Sequence, residues 1–325
     1  MSDTGPHPTT RLSWWRHRAW IVAAVTLGAL VAAAAFRSST GVLLEPIEAE
    51  FGWSRATTSG AVSLNLLLYG LVAPFAAALM ERWGVRRTVA IALVVVGGAS
   101  ALTTVMTSAW QLWVLWGLLI GTGTGCMALV FGAIVANRWF HTHRGLVTGI
   151  FSAANATGQL VFLPAIAATA TTAGWRWAAL IVSALAGVGA ILVVVFLRDH
   201  PHQVGLQPYG VAEGYPVEAP APAPRTPVVR PARMAIDTLL SAGRRWTFWA
   251  LALSFFVCGW TTNGLVQTHF IPAAHDHGMP ATTAASLLAL VGIFDVVGTI
   301  ASGWLTDRVD PRVLLAVYYG LRGVS

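Results

Sequence analysis

Two ionisable residues stand inside long apolar segments of the sequence. Arg37 is followed by three hydroxyl residues, SST, and Asp295 lies in the middle of LVGIFDVVGTI. A charge at the centre of a bilayer costs about 3 kcal/mol or more, so such a residue is a functional candidate by default. The planar guanidinium of Arg37 suits a carboxylate, whereas the carboxyl of Asp295 can take up and release a proton.

Each of these residues also has a structural interpretation. The long side chain of Arg37 can extend to the outer membrane interface, because Glu45 lies only about two helical turns further along. Asp295 can instead be a structural acid that pairs with another helix. The sequence alone leaves both alternatives open.

Amide side chains inside apolar segments form a second group of candidates. Asn155 and Gln159 are one helical turn apart, and so are Asn263 and Gln267, which lie near His269. We predict that these four amides line a cavity and bind substrate. Intramembrane amides also join helices to one another by hydrogen bonds, and that interpretation stays open.

Motifs for metal binding and enzymatic chemistry are missing from the sequence. The histidine pairs His141/His143 and His275/His277 have no third ligand nearby, so no metal site is predicted. There is also no P-loop, no Gly-x-Ser-x-Gly elbow and no His-Glu-x-x-His motif. We therefore predict no enzyme activity, no cofactor and no ATP drive.

The elements that must position these residues are transmembrane helices. Hydrophobic residues make up 56% of the 325 residues and charged residues only 10%, whereas soluble domains carry about 25% charged residues. A membrane-crossing helix needs about 20 apolar residues. The apolar runs predict eight spans, at roughly 19–44, 56–80, 87–107, 110–136, 144–170, 176–197, 246–271 and 282–305. A ninth begins near Val313 and is too short to cross, which indicates a chain truncated inside that span.

The arginines predict how the chain is oriented. Nearly all of them fall on one side of the predicted spans, and only Arg55 and Arg176 fall on the other. The positive-inside rule then makes residues 1–18 a cytoplasmic N-terminus of a multi-pass protein of the inner (plasma) membrane. This rule accounts for the basic composition without nucleic acid. A cleaved signal peptide ending near Ala33-Ala34-Ala35 is the alternative, but a multi-span chain needs a first inserted helix.

A polar, proline-rich stretch at 198–245 separates two sets of spans. It contains EAPAPAPRTPVVRPAR, whose prolines favour extended chain and exclude a packed core. We interpret it as a cytoplasmic linker between a six-helix bundle at 19–197 and a partial second bundle at 246–325. Residues 234–242 within it predict a short helix on the membrane surface. Two sets of spans with the same layout are typical of a parallel internal repeat.

The same charge cluster occurs in the turn between the second and third span of each set. Acidic and arginine side chains at such a turn can pair with one another and with helix dipoles. They could then hold one arrangement of the bundle and release another. The alternative is that they only set topology, but their repetition favours a conformational role. The clusters are MERWGVRR, with Glu81, Arg82 and Arg86, and LTDRVDPR, with Asp307, Arg308 and Arg312 at the same spacing.

This repeated pattern resembles the second–third loop motif of the major facilitator superfamily, small-x-x-x-acid-Arg-x-Gly-x-Arg-Arg. Ala77 stands in place of the leading glycine, and Asp310 replaces the inner glycine of the second copy. The resemblance implies an all-α membrane protein with two six-helix halves, of which the second is incomplete here. The matching residues are Ala77, Glu81, Arg82, Gly84, Arg86 and Arg87, then Gly303, Asp307, Arg308 and Arg312.

Four further segments are similar to the monocarboxylate and oxalate–formate porters of that superfamily. They are FRSSTGVLLEPIEAEFGWSRA (36–56), NRWFHTHRGLVTGIFSAANATGQLVFLP (137–164), GWRW (174–177) and GLQPYG (205–210). In monocarboxylate porters the position of Arg37 holds a lysine that meets substrate and proton. The resemblance therefore implies that Arg37 binds substrate and that Asp295 couples a proton. The family's arginine four residues after that aspartate is replaced here by Thr299.

The sequence thus predicts a secondary active transporter that moves a small organic anion, a monocarboxylate, by alternating access with proton symport. Its expected partners are the substrate and membrane lipid, and it is expected to be monomeric. The alternatives are an anion exchanger, a carrier of another small solute, or a membrane sensor that kept the fold without transporting.

Overall fold

The computed structural model of the chain describes residues 17–211, 231–259, 261, 277 and 281–324. Six of the helices in these ranges, α1–α6, contain a segment long and apolar enough to cross a membrane. The predicted all-α membrane fold is confirmed. The helices are α1 (Arg18–Phe51), α2 (Arg55–Trp83), α3 (Val85–Thr103), α4 (Ala109–Trp139), α5 (Arg144–Thr172), α6 (Trp175–Phe196), α7 (Pro231–Gly243), α8 (Trp246–Gly259), α9 (Ala281–Thr306) and α10 (Pro311–Val324).

Helix α1 continues past the predicted end of the first span at residue 44. It runs through Pro46 to Phe51 and ends at Gly52, whose φ of 67° is left-handed and whose N–H donates to the carbonyl of Glu48 at 2.9 Å. The ring of Phe51 stacks on Trp53, with 4.6 Å between centroids. The turns beyond residue 44 are polar. Hydropathy therefore indicated only the apolar part of this helix and not its full length.

Helix α4 is not a uniform α-helix. Its residues Trp113–Ile120 form a π-helical segment, and the side-chain amide of Asn65 on α2 donates to the carbonyl of Trp116 at 2.7 Å. A second irregularity follows at Met127 and Ala128, which separate Gly121–Cys126 from Leu129–Trp139. Irregular backbone at membrane depth is tolerated where protein groups satisfy it or where it lines a cavity.

The glycines of α4 bring two neighbouring helices close to it. A Cβ on Gly125 would lie 3.0 Å from the carbonyl oxygen of Tyr69 on α2, and one on Gly123 would lie 3.1 Å from that of Ala92 on α3. Small residues let membrane helices approach to backbone contact. The GTGTG run at 121–125 is therefore a packing element of α4.

The turn between α2 and α3 consists of a single residue, Gly84. Its φ is +89°, and a Cβ there would lie 2.8 Å from the Cγ of Asp199, so both conformation and space favour glycine. Asp199 accepts a hydrogen bond from the backbone N–H of Arg86 at 2.8 Å and so caps the N-terminus of α3. We call the end of the bundle at which α2 meets α3, α4 meets α5 and α9 ends the basic end.

The beginning of the 198–245 segment is attached to the loop between α4 and α5. The backbone N–H of Tyr209 donates to the carbonyl of Trp139 at 2.8 Å, and its carbonyl accepts from the N–H of His141 at 2.8 Å. The Tyr209 ring meets those of His17 and Trp20 edge-on. Burial lowers the pKa of His17, whose Nδ1 accepts from the N–H of Ala19 and caps α1. The GLQPYG segment is thus a docking element at the basic end.

Candidate functional site

A cavity of about 370 Å³ lies between α1, α2, α4, α5 and α9. Most of its lining is apolar, from residues such as Leu30, Ala33 and Met127. The remaining polarity comes chiefly from hydroxyl groups. Those in the lining belong to Tyr69, Thr124, Thr148, Ser152 and Thr299.

Two of these hydroxyl groups donate their hydrogen bond to a backbone carbonyl of their own helix. Thr124 donates to the carbonyl of Ile120 at 2.8 Å, and Thr148 donates to that of Arg144 at 2.8 Å. Each therefore presents to the cavity a methyl group and an oxygen that can only accept. The described lining contains no cationic or amide side chain. Such a surface suits the apolar or hydroxyl-bearing part of a bound molecule better than a negatively charged group.

The broken helix α4 contributes directly to this cavity. Met127 lies at the break, and Leu129 begins the second α-helical piece. The N-terminal end of a helix carries a partial positive charge. The break therefore gives the cavity wall a polar backbone element that the apolar side chains around it lack.

Two of the predicted site residues follow cavity-lining residues on their helices, at different levels, because Gly158 of α5 lies beside Ala34 of α1. Arg37 follows the lining residue Ala33 by four residues in α1, and Asn155 follows Phe151 by four in α5. Both helices begin at the basic end, so each position lies one turn further from that end than the lining residue it follows. The side chains of Arg37, Asn155 and Gln159 are outside the described part of the structure.

Asp295 lies on α9, which runs in the opposite direction, and it is near the level of Asn155, because Gly292 lies beside Leu160 of α5. Asp295 precedes the lining residue Thr299 by four residues, and the Thr299 hydroxyl lies 3.5 Å from its Oδ1. The Asp295 side chain is exposed in this arrangement. Asn263 and Gln267 fall outside the described residues, as does His269.

At the basic end, α9 contacts the beginning of α5. The two carboxylate oxygens of Asp307 accept hydrogen bonds from the backbone N–H groups of Gly145 at 2.7 Å and Leu146 at 2.9 Å. Four residues further along α5, a Cβ on Gly149 would lie 2.9 Å from the Cα of Gly303. An acidic cap and a glycine contact therefore join two helices that lie on opposite sides of the 198–245 segment in sequence.

The first charge cluster makes different contacts. Glu81 forms an ion pair with Arg138 at the end of α4, with 2.6 Å between Oε1 and Nη2, rather than with an arginine of its own cluster. The guanidinium of Arg86 donates to the carbonyl of Val194 on α6. Arg82 and Arg87 are exposed.

The second charge cluster is not a copy of the first in its contacts. Arg308 lies over the ring of Trp304, 3.7 Å from its centroid. Asp310, which replaces the motif glycine, accepts from the backbone N–H of Arg312 at 2.8 Å and caps α10. Asp307 of the second cluster thus contacts α5, whereas Glu81 of the first contacts α4.

The opposite end of the bundle holds a separate ion pair. Arg176 donates two hydrogen bonds to the carboxylate of Glu50, at 2.6 and 2.7 Å, and Trp175 Nε1 donates a third at 2.7 Å. The Arg176 hydrogen bonds, followed by that of Trp175, lower the pKa of Glu50. The guanidinium of Arg176 also donates to the carbonyl of Thr104. These bonds tie the ends of α1, α3 and α6 together.

Residues 25–325 match the Major Facilitator Superfamily. The chain belongs to that superfamily. Its fold is similar to that of the proton:xylose symporter XylE bound to 6-bromo-6-deoxy-D-glucose, with a TM-score of 0.53 and 15% identity, over 89% of this chain and 69% of that one. The predicted major facilitator-type bundle is confirmed, and the protein is a member of a family of multi-pass membrane transporters.

Its relatives include several proteins named as transporters. The chain is 24% identical over 307 residues to the MFS-type transporter YcxA of Bacillus subtilis (strain 168), covering 94% of this chain and 70% of that protein. It is 29% identical over 310 residues to Monocarboxylate transporter 11 of Mus musculus, covering 94% of this chain and 64% of that protein. It is 28% identical over 294 residues to Monocarboxylate transporter 13 of Bos taurus, covering 88% of this chain and 61% of that protein. The chain spans less than two thirds of these two monocarboxylate transporters.

Sequence reasoning missed several residues of this site. Asp199 was overlooked although it is the single acidic residue that directly follows the sixth span. The cavity hydroxyls gave no signal, because threonine and serine are common in membrane helices and bond their own backbone. The break in α4 has a weak signal in the glycine-rich run just before it.

Proposed function

We propose that the protein is a secondary active transporter that moves a monocarboxylate across the plasma membrane by alternating access, together with a proton. The cavity between α1, α2, α4, α5 and α9 is the observation that carries this proposal. It lies where helices from before and after the 198–245 linker meet, and transporters built from repeats bind their substrates at such junctions. The names of the two monocarboxylate transporter relatives support the substrate class.

In this proposal Arg37 receives the carboxylate and the cavity receives the body of the substrate. Arg37 stands one turn from Ala33 in α1, and an arginine side chain is long enough to span one helical turn. The amides of Asn155, Gln159, Asn263 and Gln267 complete the polar contacts.

Asp295 carries the proton in this cycle. When protonated it leaves Arg37 free to hold the substrate, so anion and proton cross together. Without substrate it gives up this proton and pairs with Arg37, which offsets the cost of holding two charges within the membrane.

The charge clusters act on the conformational step rather than on binding. With the basic end in the cytoplasm, the Asp307 cap on α5 holds the inner side of the bundle closed. Opening requires that these hydrogen bonds break and that the glycine contact between α5 and α9 separates. Glu81, Arg82, Gly84, Arg86 and Arg87 stiffen the first half, which then moves as one body against the second.

Transport by the full-length protein in proteoliposomes tests the proposal. We expect a labelled monocarboxylate to accumulate under an inward proton gradient and to show accelerated counterflow. Counterflow without gradient-driven accumulation would identify an anion exchanger instead. Specific binding without counterflow would identify a sensor, and neither binding nor uptake of any carboxylate in a panel would refute the substrate class.

A further inference from the structure

Helix α7 has one apolar face that is only partly covered by protein. It packs against α2, and Ala235 is buried there with 5% exposure. The larger apolar residues further round the helix stay exposed, with Leu239 at 40%, Ile236 at 46% and Leu240 at 62%. At 100° per residue these side chains share one arc. The helix thus carries an apolar strip beside its protein contact.

The neighbouring helix fixes the depth of this strip. Helix α8 enters the apolar region directly after α7, and it begins with Trp246, which is 82% exposed. The indole N–H of Trp249 donates to the carbonyl of Gly243, the last residue of α7, at 2.8 Å. Tryptophans are enriched where a span crosses the membrane–water interface. The end of α7 therefore lies at interface level rather than in the surrounding water.

Arginines border the apolar strip on its polar side. Arg233 lies on α7, and Arg244 and Arg245 follow it directly; all three are exposed. The one acidic residue of α7 is Asp237, whose Oδ2 lies 3.9 Å from the Nε of Arg233. The helix and its last turn therefore carry an excess of positive charge next to exposed Leu240 and Ile236. This combination is typical of helices that lie in the plane of an anionic membrane surface.

We propose that α7 is an anionic-phospholipid binding element. Ile236, Leu239 and Leu240 insert among the acyl chains at the interface, and the three arginines bind phosphodiester headgroups of lipids such as phosphatidylglycerol. The occupant of the strip is lipid of the bilayer itself. By holding α7 against both α2 and the lipid surface, this contact fixes where α8 enters the membrane. The binding is independent of the transported substrate.

Spin-label accessibility in nanodiscs tests this proposal. The full-length protein, with Cys126→Ala and Cys258→Ala as background, carries a nitroxide at Leu240→Cys on the apolar strip or at Ser241→Cys on the polar face. Accessibility to oxygen, which concentrates in lipid, is compared with that to a water-soluble nickel chelate. The nanodiscs contain phosphatidylcholine alone or mixed with phosphatidylglycerol.

We expect the label at 240 to favour oxygen and the label at 241 to favour nickel, with a larger difference in phosphatidylglycerol. Arg244→Gln with Arg245→Gln should weaken the preference for phosphatidylglycerol by roughly five-fold per arginine. Asp237→Asn should strengthen it, and Arg55→Gln at the opposite end should leave it unchanged. High salt should weaken it.

Three results would overturn the proposal. Equal nickel access at 240 and 241 would mean that α7 does not lie in the membrane surface. A label at 240 shielded from both reagents would mean that protein covers the strip. Oxygen preference at 240 without any effect of phosphatidylglycerol or of the arginine substitutions would mean that the helix docks without recognising anionic lipid.

Discussion

The Oδ1 of Asp307 lies 2.7 Å from the backbone nitrogen of Gly145, so an acidic side chain at the end of α9 caps the first turn of α5. A carboxylate at a helix N-terminus contributes about 0.3–2 kcal/mol. In Asp307→Asn the charge is lost while the size is kept. We expect the population open at the basic end to rise by up to about thirty-fold.

Cysteine labelling measures this shift. A reporter at Ser152→Cys in the cavity, in a background without Cys126 and Cys258, should react faster with a reagent added on the side of the basic end. Turnover should change more than substrate affinity. Asp310→Asn is the matched control, since Asp310 caps only its own helix α10. Unchanged labelling in Asp307→Asn would reduce the cluster to a topology signal.

The glycine contact between α5 and α9 makes a steric prediction. A Cβ on Gly303 would lie 2.7 Å from the Cα of Gly149, whereas one on Gly298 of the same helix meets nothing within 4 Å. Overpacking a close contact costs about 1–3 kcal/mol. Gly303→Ala should therefore favour the state open at the basic end in the same labelling assay, and Gly298→Ala should not. Equal behaviour of the two variants would argue against the contact.

The ion pair at the opposite end predicts a pH dependence of stability. Hydrogen bonds from Arg176 and Trp175 lower the pKa of Glu50, so its ionised form is favoured in the folded protein. The stabilisation is complete above the ordinary carboxyl range and is lost as the pH falls through the lowered pKa. Both side chains of the pair are more than a third exposed, at 44% and 39%, so the effect stays below about 1 kcal/mol.

Thermal unfolding in detergent across an acid pH series checks this. Glu50→Gln should lower the unfolding midpoint slightly at neutral pH. It should also make that midpoint decrease less as the pH is lowered. Asp237→Asn, which removes a looser and more exposed pair, is expected to behave like the original protein. If Glu50→Gln and the original protein show the same acid dependence, another carboxylate is responsible.

The proposed roles of Arg37 and Asp295 are separable by substitution. Arg37→Gln removes the charge that receives the carboxylate, and affinity should fall about ten- to a hundred-fold. Asp295→Asn should leave counterflow intact but abolish accumulation driven by the proton gradient. Arg55→Gln, at the far end of the bundle, serves as the control. Gradient-driven accumulation in Asp295→Asn would remove Asp295 from the mechanism, and normal affinity in Arg37→Gln would remove Arg37.

The apolar lining of the cavity predicts how substrates are ranked. Each buried CH₂ group contributes about 0.8 kcal/mol, or about four-fold in affinity, so binding should tighten along a series of lengthening monocarboxylates. Dicarboxylates of similar size should compete poorly. Ala133→Phe, which fills the lining, should abolish the gain with length, and Ile191→Phe on the exposed side of α6 should preserve it. Strong competition by oxalate would contradict this assignment.

The limits of several long apolar helices could be predicted from the sequence, although α1 runs beyond its predicted end. Helix α9 runs over Ala281–Thr306, against a predicted 282–305, because the apolar run ends at Asp307 and Arg308. The short helix predicted at 234–242 is present as Pro231–Gly243. Hydropathy works here because the bilayer requires both length and apolarity of a span.

The contacts made by single polar residues could not be predicted. Asp199 caps α3 across 113 positions in sequence, and Asp307 caps α5 across 162. A capping acid is recognisable in sequence only when it adjoins its own helix. The cavity posed the same difficulty, since Thr124, Thr148 and Thr299 come from three different helices. Their convergence depends on glycine contacts that no local pattern reports.

The π-helical segment of α4 has a consequence for sequence comparison. A π turn arises when one residue is added to an α-helix, and everything after it is rotated by about 100°. Thr124 and Met127 face the cavity with that rotation in place. Relatives with an unbroken α-helix here should therefore align with a one-residue gap within 113–120. Deleting one residue at this point should restore regular α-helical pitch, remove the carbonyl that the Asn65 amide binds and leave the GTGTG face against α2.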